Sequence, residues 1–205
     1  MRIVFMSDTH GRHGRFTVPD GDLFVHGGDF CRRGTLEEVR EFNDWLAMLP
    51  HRHKLVIAGN NDWPFVRSPE AARTVLNAAR YLQDELVEVG GLRCWGSPWS
   101  PKFFNWAFNL PRGEPLARVW RPVPAGVDVL ITHTPAKGIR DKALLGHVGC
   151  EALADELARI RPRLHLFGHI HEAYGQELRA GTLHANGASL DWRSRAVNAP
   201  VVIDL

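Results

Sequence analysis

The stretch Leu164–His171 reads Leu-His-Leu-Phe-Gly-His-Ile-His, a short apolar run followed by two histidines one residue apart. A run of this length and composition is typical of a buried strand, predicted here over Leu164–Phe167. Imidazole groups placed directly after a buried strand are costly unless each finds a polar partner. The pattern therefore predicts that His169 and His171 act as ligands at the carboxyl end of this strand.

Four other predicted strands are followed by residues of the same kind. These strands are Ile3–Met6, Leu23–His26, Leu55–Ala58 and Val127–Thr132. The polar residues that follow them are Asp8, His10, Asp29, Asn60, Asn61, Asp62 and His133. Ligands of open α/β sheets collect at the carboxyl ends of the strands. We therefore expect all five strand ends to face one site.

The remaining elements alternate helices with strands and then turn to hairpins. Thr35 with Glu38 three residues later is a capping box, and it predicts a helix that ends at Pro50. The other predictions are helices over Pro69–Arg80 and Cys150–Ile160, hairpins around Gly90-Gly91 and Gly181, an ordered aromatic loop over Ser97–Pro111, and a strand over Val201–Ile203. This order indicates an α/β fold with mixed sheets.

Composition limits the class of protein. The 205 residues are expected to form one domain, spanning residues 1–205. Lys and Arg number 25 against 23 Asp and Glu, so the net charge of +2 argues against a protein that binds nucleic acid through bulk charge. Three scattered cysteines are too few for a disulfide scaffold or a thiolate zinc site.

Neither a membrane span nor a signal peptide is predicted. No apolar run approaches the roughly 18–20 residues that a membrane span needs. The short apolar run Met1–Met6 meets Ser7 and Asp8 at once, so it is interpreted as the first strand rather than a signal peptide. We therefore expect a cytoplasmic protein with no membrane partner.

The side chains at the strand ends have the chemistry of a metal centre. They comprise two carboxylates, one amide and four imidazoles: Asp8, Asp29, Asn60, His10, His133, His169 and His171. Mixed oxygen and nitrogen ligands suit Mn²⁺ best here, with Fe or Zn²⁺ as alternatives, and do not suit an all-oxygen Ca²⁺ site. Seven ligands are too many for one catalytic ion with an open position. They suit two divalent ions that share a carboxylate, about 3.5–4 Å apart, an arrangement that favours displacement at phosphorus.

Each motif alone also has a simpler structural explanation. Gly28-Asp29 and Gly59–Asp62 are common turn sequences, and His133 could simply end a strand. Their order and shared position at strand ends favour a common site.

The ordered set Asp8-x-His10, Gly28-Asp29, Gly59-Asn60-Asn61-Asp62, His133 and Gly168-His169-x-His171 resembles the calcineurin-like metallophosphoesterase superfamily. More narrowly, the chain is similar to the MPPED-type (metallophosphoesterase-domain-containing) branch. The stretches that carry this similarity are Gly28–Phe30, Phe42–Leu46, Gly96–Trp99, Phe108–Gly113, Phe167–Gly175 and the tail Pro200–Leu205.

The resemblance implies a fold, a ligand set and a reaction. The fold is a four-layer αββα sandwich with two mixed β-sheets and with the metals at one edge. One metal would take Asp8, His10, Asp29 and His171; the other would take Asp29, Asn60, His133 and His169, with Asp29 bridging. The implied reaction is phosphoester hydrolysis, in which a hydroxide between the two ions attacks phosphorus.

The sequence departs from the family at Asn61, where the family usually has a histidine that helps to protonate the leaving oxygen. An amide donates a hydrogen bond but has no proton to give at neutral pH. Loss of a general acid typically costs about 10²–10⁴ in rate. We therefore predict a preference for phosphodiesters, especially cyclic or activated ones such as cyclic nucleotides, over alkyl phosphomonoesters.

Further candidates complete the predicted site. Asp62 is grouped with Asn61 as a candidate catalytic residue, and His13 could be a substitute acid or a solvated loop residue. Arg140 is the first choice for a phosphate clamp, with Arg12, Arg32 and Arg33 also placed in loops after ligand residues. Six aromatic residues could stack a base or pack as a loop or subunit contact: Trp95, Trp99, Phe103, Phe104, Trp106 and Phe108.

Two alternatives remain open. One is a nuclease, which the near-neutral charge disfavours. The other is a nucleotide- or metal-binding protein with little turnover, which Asn61 favours and the full ligand set disfavours. The sequence leaves open the physiological substrate, the metal pair and the number of subunits.

Overall fold

The computed structural model describes residues 1–144 and 146–205. Its strands are β1 (Arg2–Met6), β2 (Leu23–His26), β3 (His53–Val56), β4 (Arg80–Tyr81), β5 (Glu85–Val89), β6 (Leu92–Ser97), β7 (Ser100–Pro101), β8 (Asn109–Leu110), β9 (Val129–Thr132), β10 (Lys142–Ala143), β11 (Gly146–His147), β12 (Leu164–Phe167), β13 (Gly175–Arg179), β14 (Thr182–Asn186) and β15 (Val201–Asp204). Its α-helices are α1 (Leu36–Met48), α2 (Pro64–Arg67), α3 (Pro69–Val75), α4 (Glu114–Trp120) and α5 (Glu151–Ile160).

Two mixed sheets form the centre of the molecule. The first has the order β15-β1-β2-β3-β4, in which β1 to β4 are parallel and β15 is antiparallel to β1. The second has the order β13-β14-β12-β9-β6-β5, in which the four central strands are parallel and the two edge strands are antiparallel. In each sheet the parallel strands direct their carboxyl ends to one edge, and that edge carries the predicted ligands.

Alternating side chains sort the core into layers. Ile3 and Phe5 of β1 face the second sheet and pack with its apolar residues between the sheets. Val4 and Met6 face the opposite way and pack with residues of α1 and α3. Leu130 of the second sheet packs with α4 and α5 on the far side. The layers are therefore αββα, and the predicted fold class is confirmed.

Helix α1 begins where its capping box predicts. Thr35 Oγ1 accepts from the Glu38 backbone N–H at 3.2 Å, and the Glu38 carboxylate accepts from the Thr35 N–H at 3.1 Å. Its apolar side, including Phe42 and Trp45, is buried against the first sheet. The helix ends at Met48, two residues before Pro50.

The structure corrects several predicted boundaries. The helix that begins at Pro69 ends at Val75 rather than Arg80, because Asn43 Oδ1 accepts from the N–H groups of Asn77 and Ala78 and directs the chain into β4. The aromatic loop Ser97–Pro111 contains the short pair β7 and β8. Helices α2 and α4 are too short to show a helical period, and they were not predicted.

Within the described residues, no helix combines the length and the apolar character needed to cross a membrane.

Candidate metal centre

The carboxyl edges of the two sheets meet at Ser7. Its N–H donates to Gly187 at 2.9 Å and its carbonyl accepts from Ser189 at 2.8 Å, so the ends of β1 and β14 are joined. A parallel bridge between Ser7 and Ala188 extends this contact. As a result, loops that belong to two different sheets surround a single site.

One group of ligands consists of Asp8, His10 and His171, whose candidate ligand atoms lie within 4.8 Å of one another. The two Nε2 atoms of His10 and His171 are 3.4 Å apart, and His171 Nε2 is 3.5 Å from Asp8 Oδ1. Asp8 is fully buried, and its Oδ1 has no hydrogen-bond partner among the described residues. Two imidazole nitrogens and an unpaired carboxylate oxygen that face one point fit a divalent cation.

A second group consists of Asp29, Asn60 and His133. His133 Nε2 lies 2.9 Å from Asn60 Oδ1 and 3.6 Å from Asp29 Oδ1. The other carboxylate oxygen of Asp29 is 3.8 Å from His10 Nε2, so Asp29 lies between the two groups. The His169 ring is 5.0 Å from the His133 ring, centroid to centroid. The structure thus brings all seven predicted ligands together.

Backbone carbonyls orient two of the histidines. His133 Nδ1 donates to Gly27 O at 2.9 Å, and His171 Nδ1 donates to Asp191 O at 3.2 Å. A neutral imidazole that donates through Nδ1 has only a lone pair at Nε2. In His133 this lone pair faces the Asn60 oxygen, which is also an acceptor, and a cation satisfies both.

Four of the seven residues have left-handed backbone conformations. The φ angles are 55° at Asp8, 42° at His10, 56° at Asp29 and 68° at His169. Such angles are strained for residues with a side chain and cluster at functional sites. Here they turn the chain sharply after each strand and direct the side chains toward the common edge.

Two glycines allow the close approach of these loops. A Cβ at Gly168 would lie 2.0 Å from Asp8 Oδ2, and a Cβ at Gly59 would lie 2.3 Å from Asp29 Oδ1. Neither position has room for a side chain. The glycines of both motifs are therefore required by packing against the carboxylates.

Asp62 lies beneath the site rather than in it. Its buried carboxylate accepts from the backbone N–H groups of Gly59 at 2.7 Å, Asp29 at 2.8 Å and Cys31 at 2.9 Å. Burial raises the pKa of Asp62 to about 7, and the Asp29 charge adds to this effect. Asp62 is a positioning residue that holds the loops after β2 and β3 together.

Charges within the cluster shift its histidines in opposite directions. Burial lowers the pKa of His169 to about 4. Burial also acts to lower the pKa of His171, but the negative charge of the Asp8 carboxylate, whose Oδ1 is 3.5 Å from His171 Nε2, raises it to about 9. The same contact holds the pKa of the Asp8 carboxyl well below its usual range, although burial opposes this. His171 and Asp8 therefore form an ion pair at neutral pH in the metal-free site.

Asn61 contacts the central carboxylate directly. Its Nδ2 donates to Asp29 Oδ2 at 2.6 Å, and its backbone N–H donates to Asp29 Oδ1 at 2.7 Å. The side chain at this position therefore points into the site.

The side-chain contacts of His13 and Arg140 are made with residues other than the seven ligands. His13 is buried, with its ring centroid 5.4 Å from that of Phe42 and 5.1 Å from that of Trp45, and burial lowers its pKa to about 4. Arg140 Nη2 donates to Tyr174 O at 2.9 Å and packs over Gly175. An unprotonated histidine behind an aromatic layer does not fit the expected acid, and the expected solvated loop position is also wrong.

The six candidate aromatic residues separate into two sets. Trp95 and Phe108 are buried in the helix layers, and Trp99 packs against Phe108. The other three lie at the surface beside the site. Trp106 stands edge-on to His169 with centroids 6.4 Å apart, and its ring contacts two exposed side chains, Phe103 and Phe104.

The residues at the end of β14 and just after it were missed by the sequence analysis. Asn186 Nδ2 donates to Ile170 O at 2.9 Å and supports the segment that carries His169 and His171. Asp191 contributes only a carbonyl oxygen, for which a sequence carries no signal. The pair Asn186-Gly187, an amide followed by a glycine at the end of an apolar strand, was the signal that could have indicated a sixth strand end.

Comparison with known proteins identifies relatives over the whole chain. Residues 1–173 match the family model described as calcineurin-like phosphoesterase. The human protein named metallophosphoesterase domain-containing protein 1 is 40% identical over 230 residues, covering 100% of this chain and 71% of that protein. A UPF0046 protein of Caenorhabditis elegans is 35% identical over 216 residues, covering 98% of this chain and 74% of that protein.

Solved structures share the fold at low sequence identity. One aligns with a TM-score of 0.71 at 17% identity, covering 99% of this chain and 98% of the other. The crystal structure of TT1561 of Thermus thermophilus aligns with a TM-score of 0.62 at 15% identity, with the same coverage of 99% and 98%. At these identities the likeness concerns the fold alone.

Proposed function

The chain belongs to the calcineurin-like phosphoesterase family, and from this premise we propose that it is a metal-dependent phosphodiesterase acting on small diesters, including cyclic nucleotides. The observation that carries the proposal is the convergence of ligand atoms from Asp8, His10, Asp29, His133 and His171. The Asn60 oxygen and the His169 ring lie beside His133, and position 61 carries an amide.

The donor set assigns which residues would hold two divalent ions. Asp8, His10, Asp29 and His171 would hold one ion; Asp29, Asn60, His133 and His169 would hold the other. The ions, with Mn²⁺ as the first choice and Fe or Zn²⁺ as alternatives, would supply Lewis-acid polarisation of the phosphoryl group and a lower pKa for the attacking water.

The protein's own contribution is preorganisation. The carbonyls of Gly27 and Asp191 fix the orientations of His133 and His171, and the Asp62 carboxylate fixes the loop that carries Asp29. These contacts hold the ligand atoms in place before substrate binds, so little reorganisation accompanies the reaction.

Asn61 supports the choice of diesters. Its amide can donate a hydrogen bond to a phosphoryl oxygen, but it cannot protonate a leaving alkoxide. Diesters with good leaving groups, or strained cyclic diesters, need that proton least. A substrate that is a diester also carries one negative charge less than a monoester at neutral pH.

The first test is turnover of bis-p-nitrophenyl phosphate with Mn²⁺, with and without a chelator. We expect metal-dependent hydrolysis that Asp29→Asn lowers at least about 100-fold, because the substitution changes a ligand shared by both ions. Asp44→Asn, on the exposed side of α1, is the matched control and should be unchanged. Absence of metal-dependent turnover of every diester tried would contradict the proposal.

The second test concerns position 61. Asn61→His should raise hydrolysis of an alkyl monoester such as glycerol phosphate relative to bis-p-nitrophenyl phosphate, because a histidine supplies the missing proton. A wild-type enzyme that hydrolyses unactivated monoesters much faster than diesters would rule out the diester preference.

One alternative has a specific observation in its favour. The backbone N–H of Asn61 and one N–H of its Nδ2 donate to Asp29, which suits a protein that binds a nucleotide or metal with little turnover. Full metal loading, measured by elemental analysis, without hydrolysis of any diester would favour that alternative.

We place the proposed activity in the cytoplasm. Cys31, Cys94 and Cys150 are all buried and free, as is usual in a reducing compartment.

A further inference from the structure

We propose that a pocket beside His10 is a second anion subsite, which binds a phosphoryl group of the substrate other than the one that reacts. The proposal rests on the proposed phosphodiesterase function and names its substrate class: small diesters that carry an additional phosphate. The evidence is a cavity of about 210 Å³ lined by His10, Arg12, Arg32, Leu190 and Ser194.

The cavity lies directly against the candidate metal centre. His10 lines it, and the same imidazole is 3.4 Å from His171 Nε2 and 3.8 Å from Asp29 Oδ2. A group bound in the cavity is therefore separated from the cluster by one side chain. The volume corresponds to several water molecules at about 30 Å³ each, which leaves room for a phosphoryl group.

The positions of the two arginines follow from the pairing of the ligand loops. The N–H of His10 donates to Asp29 O at 2.9 Å, and the N–H of Gly11 donates to Phe30 O at 2.8 Å. These bonds place the loops after β1 and β2 side by side, so Arg12 and Arg32 line the same cavity. The loops that position metal ligands thus also position two guanidinium groups.

The guanidinium charges here have no carboxylate partners. Among residues 1–144 and 146–205, no carboxylate oxygen lies within 4.0 Å of the side-chain nitrogens of Arg12, Arg15, Arg32 or Arg33. Arg15 and Arg33 line a wider pocket of about 530 Å³ that also contains His10, Arg12 and Arg32. An uncompensated group of guanidinium ions attracts anions, and its planar donors match phosphate oxygens.

The acidic residues of the wider pocket either form hydrogen bonds or ion pairs with other groups or lie outside the inner cavity. Glu38 accepts from the backbone N–H groups of Arg32, Arg33 and Thr35, and Glu37 pairs with Arg40. Glu41 lines only the wider pocket. Among the described residues, no carboxylate lines the inner cavity, and two of its five lining residues are arginines.

The opposite wall is supplied by the segment that supports His171. Arg12 Nη1 donates to the carbonyl of Ser194, and the carbonyl of Asp191 accepts from His171. Arg12 therefore both lines the cavity and positions this segment, whereas the exposed side chain of Arg32 has no such structural contact among the described residues. Arg32 is the residue to test.

The experiment uses two substrates that release the same p-nitrophenolate. They are the p-nitrophenyl ester of thymidine 5′-phosphate and the same ester with a 3′-phosphate. We expect the 3′-phosphate to raise kcat/KM about 10-fold or more in the wild-type enzyme, the size of one charge-assisted contact. Arg32→Ala should reduce this ratio to about 1, and Arg32→Lys should retain part of it. Arg118→Ala, an exposed arginine of α4 that lines neither pocket, should leave the ratio unchanged.

A binding measurement separates this proposal from the proposed function. Calorimetric titration with thymidine 3′,5′-bisphosphate and thymidine 5′-phosphate, each into the Mn²⁺-loaded protein, should show tighter binding of the bisphosphate that depends on Arg32. If no ester is hydrolysed but this preference is found, the phosphodiesterase proposal fails and the subsite stands.

Three results would overturn the subsite. The first is equal kcat/KM and equal affinity for the paired compounds in the wild type. The second is a preference that Arg32→Ala leaves intact. The third is Arg32-dependent binding of inorganic phosphate by the chelator-treated protein without any preference for the doubly phosphorylated compounds, which would mean that the cavity takes a free anion.

Discussion

The two sides of the seven-ligand cluster differ sharply in chemistry. Beside His10 lie the guanidinium groups of Arg12 and Arg32, which have no carboxylate partner in the part of the chain that the structure describes. Beside His169 stands the ring of Trp106, in contact with Phe103 and Phe104. We call these the arginine side and the aromatic side.

This difference shows how one ligand set can serve an asymmetric substrate. In the proposed function the cluster would hold the reacting phosphoryl group, whereas the arginine side suits an additional anion and the aromatic side suits a flat apolar group. The two sides come from separate parts of the chain: loops after β1 and β2 and the segment near Ser194, against the aromatic loop within 97–111. Each side can therefore be altered without the other.

The largest effect is expected from a substitution that disrupts the seven-ligand cluster, which lies between the arginine side and the aromatic side. In Gly168→Ala the new Cβ would lie 2.0 Å from Asp8 Oδ2, displacing a ligand carboxylate. We expect metal content to fall at least about 100-fold. Diester turnover should fall by a similar factor, both for diesters with an additional phosphate and for diesters with an aromatic group. Elemental analysis after dialysis, with circular dichroism to follow folding, measures the loss. Gly14→Ala is the control because a Cβ there meets no atom within 4 Å; a fully loaded Gly168→Ala protein would contradict the role of this contact.

A second prediction concerns the layer behind the arginine side, where two histidines are buried. Burial lowers the pKa of His13 to about 4 and that of His26 to about 3. Between pH 6.5 and 4 the unfolded chain therefore binds protons that the folded protein does not, so the free energy of unfolding decreases as the pH falls. For His13 alone the decrease is about 3 kcal/mol by pH 4, at 1.36 kcal/mol per pK unit.

Urea denaturation of the metal-free protein between pH 7 and pH 4 measures this dependence. His13→Gln should make it shallower, while His53→Gln, a half-buried position on β3, should not. A pH dependence that His13→Gln leaves unchanged would show that His13 does not contribute.

The smallest effect is expected on the aromatic side. Trp106→Ala should raise KM about 10-fold for nucleoside or aryl diesters, because stacking of a base on an aromatic ring is worth about 1–3 kcal/mol. A dialkyl diester should be unaffected, and Trp106→Phe should retain most of the binding. An equal rise in KM for aryl and dialkyl diesters would contradict base stacking and would indicate that Trp106 only supports His169.

Much of the fold could be predicted because its signals are local. The capping box at Thr35 and Glu38 fixes the start of α1, and continuous apolar runs locate β1, β2, β9 and β12 within two residues. The end of α3 could not be predicted, because it depends on Asn43, more than thirty residues away in sequence.

Some features of the site could likewise be predicted from local sequence, and others could not. Ligand candidates were visible because acidic, amide and imidazole residues follow apolar runs. The burial of His13 was not visible, because it depends on the packing of Phe42 and Trp45 from α1. Nor was the support of His171 by the Asp191 carbonyl, since every residue has that group.

The sequence by itself determined the α/β alternation and which side chains could bind metal, because strand ends and ligand chemistry are written in neighbouring residues. Only the tertiary structure decided that Asp62 supports the loops from below, that His13 faces an aromatic layer, and that Arg12 and Arg32 share a cavity with His10. The reason is physical: such positions depend on which loops the two sheets bring together at their common edge, and no local pattern specifies that contact.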